Sequence, residues 1–574
     1  MVAEAVTELV TEVSDSAVPS LQEVFQGLVE PPNSAMGDLA YPCFQLAKKL
    51  KKAPPLIAQQ LAQRIQPGPW IAAAEAAGPY LNFRLTNKAF GEFLLQRILS
   101  GEFFKTRLFV GAPRTMVEYA QPNTHKELHV GHMRNVCLGD ALVRILHYAG
   151  TEIVSATFPG DVGTHVAKCL WYMKYHNSEK PPLTEKGEWL GRMYSRATLK
   201  LEDEKGTAAE EAAKQKLTEI LQQIETKSGE FYDLWKETRQ WSIELMNEAY
   251  TWAGIHFDQW YWESEMDTPS VSYVKSLLAQ GKLIKSEGAI GMDLGSENLG
   301  FCLLLKSDGT GLYATKDLEL ARRKFQDFHI EKSVYVVDLR QTLHFQQVFK
   351  VLEKIGFPQA RQCLHLQYNY VELPDGPMSS RKGNIVPLMH LVRAMEKMVK
   401  DNYLAKYAGD WPEVEIDQVA TEVAQGAIKY GMVKIDTAKK IVFDLEEWLK
   451  IDGDSGPFIQ YSAARAQSIQ RKIGEVPPRP DWDLLTHPTE KKLLQQLSQF
   501  HSVVVVAAEH YRPSVLCTYL YELAKRYNHF YHECSIGQAE SEGLKGARLG
   551  LSRSVGQILK MGLSLLGIPT PNRM

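Results

Sequence analysis

The chain has 574 residues, 44% hydrophobic and 23% charged, with a net charge of −3. That length suffices for three or more domains, the apolar content excludes a disordered chain, and the charge excludes a uniformly basic nucleic-acid binder. Seven cysteines, at 43, 137, 169, 302, 363, 517 and 534, form no CxxC pair, so neither a disulfide framework nor a structural zinc is expected, and a reducing compartment is.

In chain order, residues 1 to about 110 read as a small α+β module, with a helix through Gln45 to Leu50 and an extended YLNFRL at 80–85. The first basic residue is Lys48, and acidic Glu4, Glu8, Glu12 and Asp15 precede it, which argues against a targeting signal and for the cytoplasm. No apolar run approaches membrane-spanning length; SVVVVAA near 502 reads as core helix or strand. From Arg114 to about Asn384 strands alternate with helices, the pattern of a doubly wound parallel sheet. The strand candidates are TMVEYA (115–120), EIVSATF (152–158), GFCLLL (300–305) and SVYVVD (333–338). Between the second and third lies a charged helical stretch, Gly187 to Gly254, too long for a simple crossover; it reads as an insertion. From about Ile385 onward the chain turns helical.

The densest chemistry sits at His129-Val-Gly-His132. A strand-like run precedes it, and apolar side chains at Val136, Ala141, Leu142, Ile145 and Leu146 carry a helix from Met133 to Tyr148, with Gly150 as its stop. Free N–H groups at the helix start and the two imidazoles are expected to meet a phosphate, while Gly131 lets a flat ring approach the backbone. A histidine pair at i, i+3 with no third ligand beside it points away from a metal site.

Four stretches in order, PNTHKELHVGH (122–132), PGDVGTH (159–165), GTGLYATKD (309–317) and GPMSSRKGN (376–384), resemble the class I aminoacyl-tRNA synthetases, and specifically the arginyl-tRNA synthetase family. The resemblance spans nearly the whole chain, from GDLAYPCFQLAKKLKKAP and AGPYLNFRL to the tail LLGIPTPNRM. It implies a multidomain fold: an α+β N-terminal added domain (1–110) touching the corner of the tRNA, a Rossmann-type catalytic domain (111–390) with a connective insertion at about 170–295, a helical connecting segment (391–455), and an all-α anticodon-binding domain (456–574). The LAKKLKK run fits either that tRNA contact or a solvated helix face.

The implied reaction is activation of L-arginine by ATP, with Mg2+ accompanying the nucleotide, and transfer of the arginyl group to the terminal ribose of tRNA(Arg), in the family with tRNA already present at activation. A monomer is expected. The resemblance assigns His129, Gly131 and His132 to ATP, with the MSSRKGN loop (Met378, Ser379, Ser380, Arg381, Lys382) as the second cationic element. Pro377 and Ser380 stand where the family's KMSKS loop has its lysines, so Lys126 is expected to supply missing charge beside the catalytic candidates His129, His132, Arg381 and Lys382.

Arginine itself calls for buried carboxylates, because a guanidinium has five donors and no acceptor. The resemblance places Glu118, Asp317 and the Tyr313 hydroxyl around it, and Asn123, Gln341, Gln121, Pro122 and His132 along the rest of the amino acid, with His344 nearby. Tyr313 and Asp317, four apart, share a face if helical; an N-cap is the other reading of Asp317. The family carries Trp and Gln where this chain has Val162 and His165, and Asp161 reads as a substrate contact, an insertion contact or a turn residue.

From Gly456 to the end, 14 Lys and Arg face 9 Asp and Glu, an excess of five that leaves −8 for the remainder and suits a polyanion partner. Arg465 and Arg548 are the candidate tRNA contacts there. At least two thirds of the aromatics Phe458, Tyr461, Tyr519, Tyr521, Tyr527, Phe530 and Tyr531 are expected in the core. Two other functions share parts of this pattern: a small nucleotidyltransferase with an HxGH helix, which the chain length disfavours, and a non-catalytic RNA-binding relative, which the intact HVGH disfavours.

Overall fold

A computed structural model of the chain describes residues 36–374 and 386–574, together with positions 24, 27–29 and 31 and the backbone of 376–377. The core of the nucleotide fold is a five-stranded sheet whose pairs are all parallel. Its strands are β1 (Thr115–Glu118), β2 (Ile153–Thr157), β3 (Gln259–Trp260), β4 (Lys332–Asp338) and β5 (Cys363–Tyr368), in the spatial order β5-β4-β1-β2-β3. The chain therefore runs outward from β1 in one direction, then restarts at β4 and runs the other way. Ligands of such sheets bind in the crevice at that reversal, outside the carboxyl ends of the strands.

Helix α1 (Val130–Ala149) follows β1 and is buried on nearly every side, 14 of its 20 residues being inaccessible. Its apolar residues meet the sheet on one side and the helix Glu413–Val433 on the other. Two glycines make this possible. A Cβ on Gly139 would lie 2.1 Å from the Tyr119 ring, and Gly150, at φ 107°, ends the helix in a left-handed cap. Arg134 on α1 is 1% exposed and donates to the carbonyls of Asn369, Lys439 and Asp436 at 2.7, 2.8 and 3.1 Å. It fixes the chain leaving β5 to the signature helix.

Between β2 and β3 the insertion consists of α2 (Thr164–Tyr175), α3 (Lys186–Asp203), α4 (Ala208–Glu225) and α5 (Glu230–Trp252). It has its own small cores, including Trp171, Ile220, Phe231 and Trp235. After β3 come α6 (Glu263–Ala279) and a separate three-stranded antiparallel sheet, Ile284–Ser286, Ala289–Leu294 and Gly300–Leu305. The expectation that GFCLLL belongs to the parallel sheet is thus corrected. Only short turns separate these three runs, and a parallel pair needs a crossover of a dozen residues or more. Helices α7 (Tyr313–Phe328) and α8 (Thr342–Lys354) flank β4, and α9 (Leu388–Val399) follows β5.

The N-terminal unit is a three-stranded antiparallel sheet, Leu39–Pro42, Tyr80–Leu85 and Ile71–Ala77, packed through Leu81 and Phe83 against Ile57, Ala58 and Leu61 of the helix Pro54–Arg64. The C-terminal part is all helical, with Gly456–Ile473, Pro488–Ser498, Phe500–Glu509, Pro513–Glu533 and Glu542–Leu565; SVVVVAA is in the third of these. All seven cysteines are free thiols. Among the described residues, no helix is long and apolar enough to cross a membrane.

One expectation for this helical part needs correction. Only Tyr519, Tyr527 and Phe530 of the seven aromatics are buried, while Phe458, Tyr461 and Tyr521 are half-buried and Tyr531 is exposed, because the first and fourth helices leave part of one shared face open. Arg548, one candidate tRNA contact, is engaged within the protein. It pairs with fully buried Glu490 at 2.7 Å and donates to the Ser535 carbonyl, with its side chain 14% exposed, so it holds helices together. Arg465, in contrast, lies between the Tyr461 and Tyr531 rings at 4.7 and 5.0 Å and donates to Asn528, on that open face.

Candidate active site

One cleft of about 970 Å3 opens at the carboxyl ends of the parallel strands. Each strand delivers part of its lining: β1 leads to Glu118, Gln121, Pro122 and Asn123, β2 to Gly160, β3 to Glu263, β4 to Asp338, Arg340, Gln341 and His344, and β5 to Tyr368 and Tyr370. Helices α1 and α7 add His129, Gly131, His132, Tyr313, Lys316 and Asp317. The residues named from the sequence for ATP and arginine thus meet in one place, except for two groups. Met378, Ser379, Ser380, Arg381 and Lys382 lie outside the described residues, and Lys126 points to the insertion, its ammonium 5.1 Å from the Tyr194 ring.

At the signature end, each imidazole has a defined role. The ring Nδ1 of His129 accepts from the Gly131 N–H at 3.1 Å, and Nδ1 of His132 accepts from the His129 N–H at 3.2 Å. Two accepting Nδ1 atoms require neutral rings with the proton on Nε2. Burial works in the same direction, holding His129 down at about 4 and His132 well below 6.5. Each ring therefore offers an Nε2–H donor without a full charge. The expected free backbone amides are absent from this helix start: Val130 N–H donates to Val386, Gly131 N–H to the His129 ring, and His132 N–H to the His129 carbonyl. The first turn caps itself, which leaves the side chains and the helix dipole to face an anion.

The loop between β1 and α1 is braced from beneath. Ala120 takes φ 56°, held by its N–H donating to Asn135 Oδ1 at 2.7 Å and its carbonyl accepting from Thr157 and Tyr250. His125, at φ 59° and fully buried, bonds the Thr124 and Thr238 hydroxyls through its two ring nitrogens at 2.9 and 2.7 Å, while its N–H donates to Ser242. Thr238 and Ser242 belong to α5, so the loop is fastened to the insertion. Asp161 does the same from β2: fully buried, it accepts from Arg239 at 2.7 Å and from the Ser264 N–H and hydroxyl. The insertion contact among its readings is present. His165 meets the Gly160 carbonyl at 3.3 Å and Val162 joins the insertion core.

At the other end the cleft carries carboxylates, each with a counter-charge. Glu118 is 3% exposed, pairs with the fully buried ammonium of Lys324 and accepts from Gln121 at 3.0 Å. Asp317 accepts from His344 Nε2 at 2.5 Å, and its hydrogen bond and charge outweigh burial to raise the imidazole above its ordinary value. It sits in the second turn of α7, which removes the N-cap reading. Tyr313, one turn earlier, is 71% exposed at the cleft mouth.

Sequence reading missed Glu263. It begins α6 just beyond the carboxyl end of β3, is 7% exposed, and accepts from Lys316 at 2.8 Å. Its other oxygen lies beside Asn123 over Gly160, where a Cβ would come within 3.0 Å of Glu263 and 2.4 Å of Asn123. The available signal was positional: an acid directly after a strand of the nucleotide sheet. β3 has only two residues, too short for a periodicity to mark it.

Comparison with known proteins gives the family. A family model for the tRNA synthetases class I (R) catalytic domain matches residues 100–445, the DALR anticodon binding domain matches 459–574, and the arginyl tRNA synthetase N-terminal domain matches 1–85. The arginine–tRNA ligase of Bdellovibrio bacteriovorus is 60% identical over 556 residues, covering 97% of this chain and 95% of its own length. That of Clostridium perfringens is 34% identical, covering 96% and 97%. Among solved structures, Thermus thermophilus arginyl-tRNA synthetase superposes with a TM-score of 0.78 at 29% identity, covering 100% of this chain and 99% of the other.

Proposed function

The chain belongs to the class I arginyl-tRNA synthetases, ligases that join arginine to its tRNA for protein synthesis at the expense of ATP, and from that premise we propose how its cleft divides the work. The arginine carboxylate attacks the α-phosphate, and the bond to pyrophosphate breaks. Such a step asks the protein for positioning and for donors aimed at developing charge. The Nε2–H groups of His129 and His132 serve the phosphates, joined by Arg381 and Lys382 of the MSSRKGN loop and by Lys126 once its ammonium swings from the Tyr194 ring toward the nucleotide. Neither histidine acts as a nucleophile.

The guanidinium lies between Asp317 and Glu263, with the Tyr313 hydroxyl closing over it from the mouth. Glu118, already matched by Lys324, shapes the wall with Gln121 and Pro122, and Asn123 and Gln341 take the α-amino and carboxylate end. The observation that carries this reading is one cleft with two neutral imidazole donors at one end and two partly compensated carboxylates at the other. Magnesium enters with ATP as part of the substrate; among the described residues, no group of three His, Cys, Asp or Glu is placed to hold a metal ion. The open face around Arg465 serves the tRNA. A monomer is the working form we propose, and the seven free thiols support a cytoplasmic setting.

The test is ATP–pyrophosphate exchange with arginine and tRNA, repeated without tRNA. Exchange that needs arginine is the expected result, and its loss on omitting tRNA would place activation under tRNA control. No arginine-dependent exchange even with tRNA present would leave an RNA-binding relative instead.

A further inference from the structure

The two lysines that compensate the cleft carboxylates differ in one respect. Lys324 is fully buried against the Tyr335 ring, 3.7 Å from its centroid, and pairs with Glu118. Lys316 has two acids: its Nζ lies 2.8 Å from Glu263 and 2.6 Å from Asp267. These stand one turn apart on α6, the first with a 9% exposed side chain and lining the cleft, the second 40% exposed and outside the lining. Lys316 itself is 12% exposed and lines the same cleft.

We propose that Lys316 is an exchangeable counter-ion of the arginine site: it occupies Glu263 while the site is empty and is carried by Asp267 alone once the substrate guanidinium takes Glu263. This rests on the reading that Glu263 helps hold the guanidinium. A buried carboxylate without a cation is costly and tends to take up a proton, so an empty site needs a placeholder. An ammonium has three donors on a flexible stem and can shift between two acids one helical turn apart. The incoming guanidinium can bind the same carboxylate through two parallel N–H donors, which a single ammonium does not match. Asp267 keeps the displaced charge paired, so the exchange does not leave an isolated cation. Lys324, which has no second acid in its contacts among the described residues, stays where it is.

The proposal makes Lys316 and Asp267 positioning residues whose effects on arginine are coupled. Exchange assays on the full chain with tRNA, varying arginine and ATP separately, are to be run on D267N, K316Q, the double variant, K316R and E263Q. With Asp267 neutralised, Lys316 has no alternative partner, and KM for arginine is expected to rise about tenfold with KM for ATP unchanged. On the K316Q background the same D267N change is expected to alter it by about twofold or less, since no ammonium remains to be carried. K316R, which preserves an ion pair, is expected to raise KM for arginine because an internal guanidinium competes better. Equal D267N effects in both backgrounds, or no D267N effect at all, overturn the proposal. Should K316Q fail to fold, as melting would reveal, K316R and D267N decide alone: both leaving KM for arginine unchanged would overturn it. E263Q separates the two levels: an unchanged KM for arginine there removes Glu263 from the site reading itself, whereas a raised one with uncoupled D267N and K316Q effects removes only the exchange.

Discussion

The two ends of the cleft use histidine in opposite ways. At the phosphate end His129 and His132 lie beside each other, half-buried, with desolvation and the repulsion of Arg340 and Lys126 acting together, and their values fall below 6.5. At the arginine end His344 faces Asp317 and its value rises. The same side chain is therefore a neutral donor in one place and a cation-forming partner in the other. Burial without a counter-ion removes charge, and a carboxylate within hydrogen-bond reach restores it.

The largest effect should come from the phosphate end. Replacing His132 by Asn removes an Nε2–H donor aimed at the reacting phosphates, and it is expected to slow adenylate formation by roughly 10²- to 10³-fold, with KM for arginine little changed. Single-turnover formation of the adenylate measures this directly. An equal loss in arginine affinity would mean that the two ends are not separate. Next in size is Asp317→Asn, which leaves the guanidinium a neutral partner and should raise KM for arginine by about 10- to 100-fold while sparing KM for ATP; parallel changes in both constants would remove Asp317 from the arginine end.

A smaller effect sharpens the contrast by pH. Protonated His344 competes with the substrate for Asp317. Because its folded-state value is raised, the competing ion pair is fully present below about pH 6.5 and is lost as pH rises through the higher value. KM for arginine should then fall a few-fold from pH 6.5 upward, and His344→Gln should flatten that slope. His129, held at about 4, contributes no titration across the same window.

How much of this could be read in the residues varied with the kind of signal. The helix of HVGH was legible because apolar spacing and Gly150 mark it, and the cleft residues were legible as an ordered set of motifs. The core strands at 115–120, 152–158 and 333–338 appear with ends shifted by one or two residues. GFCLLL was misassigned because an apolar run of six states that a strand is buried, not which sheet it joins. The self-capped start of α1 was hidden because it depends on ring orientations, and on Val386 arriving from 256 residues downstream. The Arg548–Glu490 pair was not legible, because the partner lies on another helix, 58 residues away.

The smallest expected effect concerns stability, and it extends the comparison to the brace beneath the loop. His125, fully buried, and His165, half-buried, are both held at about 3, mainly by desolvation, as His129 is at about 4. In the unfolded chain each takes up a proton below about pH 6.5, which the folded chain refuses until its own lower value is reached. Stability is therefore complete above about 6.5 and falls on acidification, by about 1.4 kcal/mol per pH unit for each such histidine. Replacing His125 by Gln keeps an acceptor and a donor between Thr124 and Thr238 but removes the titration. The apparent Tm of that variant should decline less steeply between pH 6.5 and 5 than that of the parent chain, even if it starts lower. Parallel declines would mean that His125 is protonated in the folded state, and the loop would then carry a charge beside the two neutral donors it is built to hold.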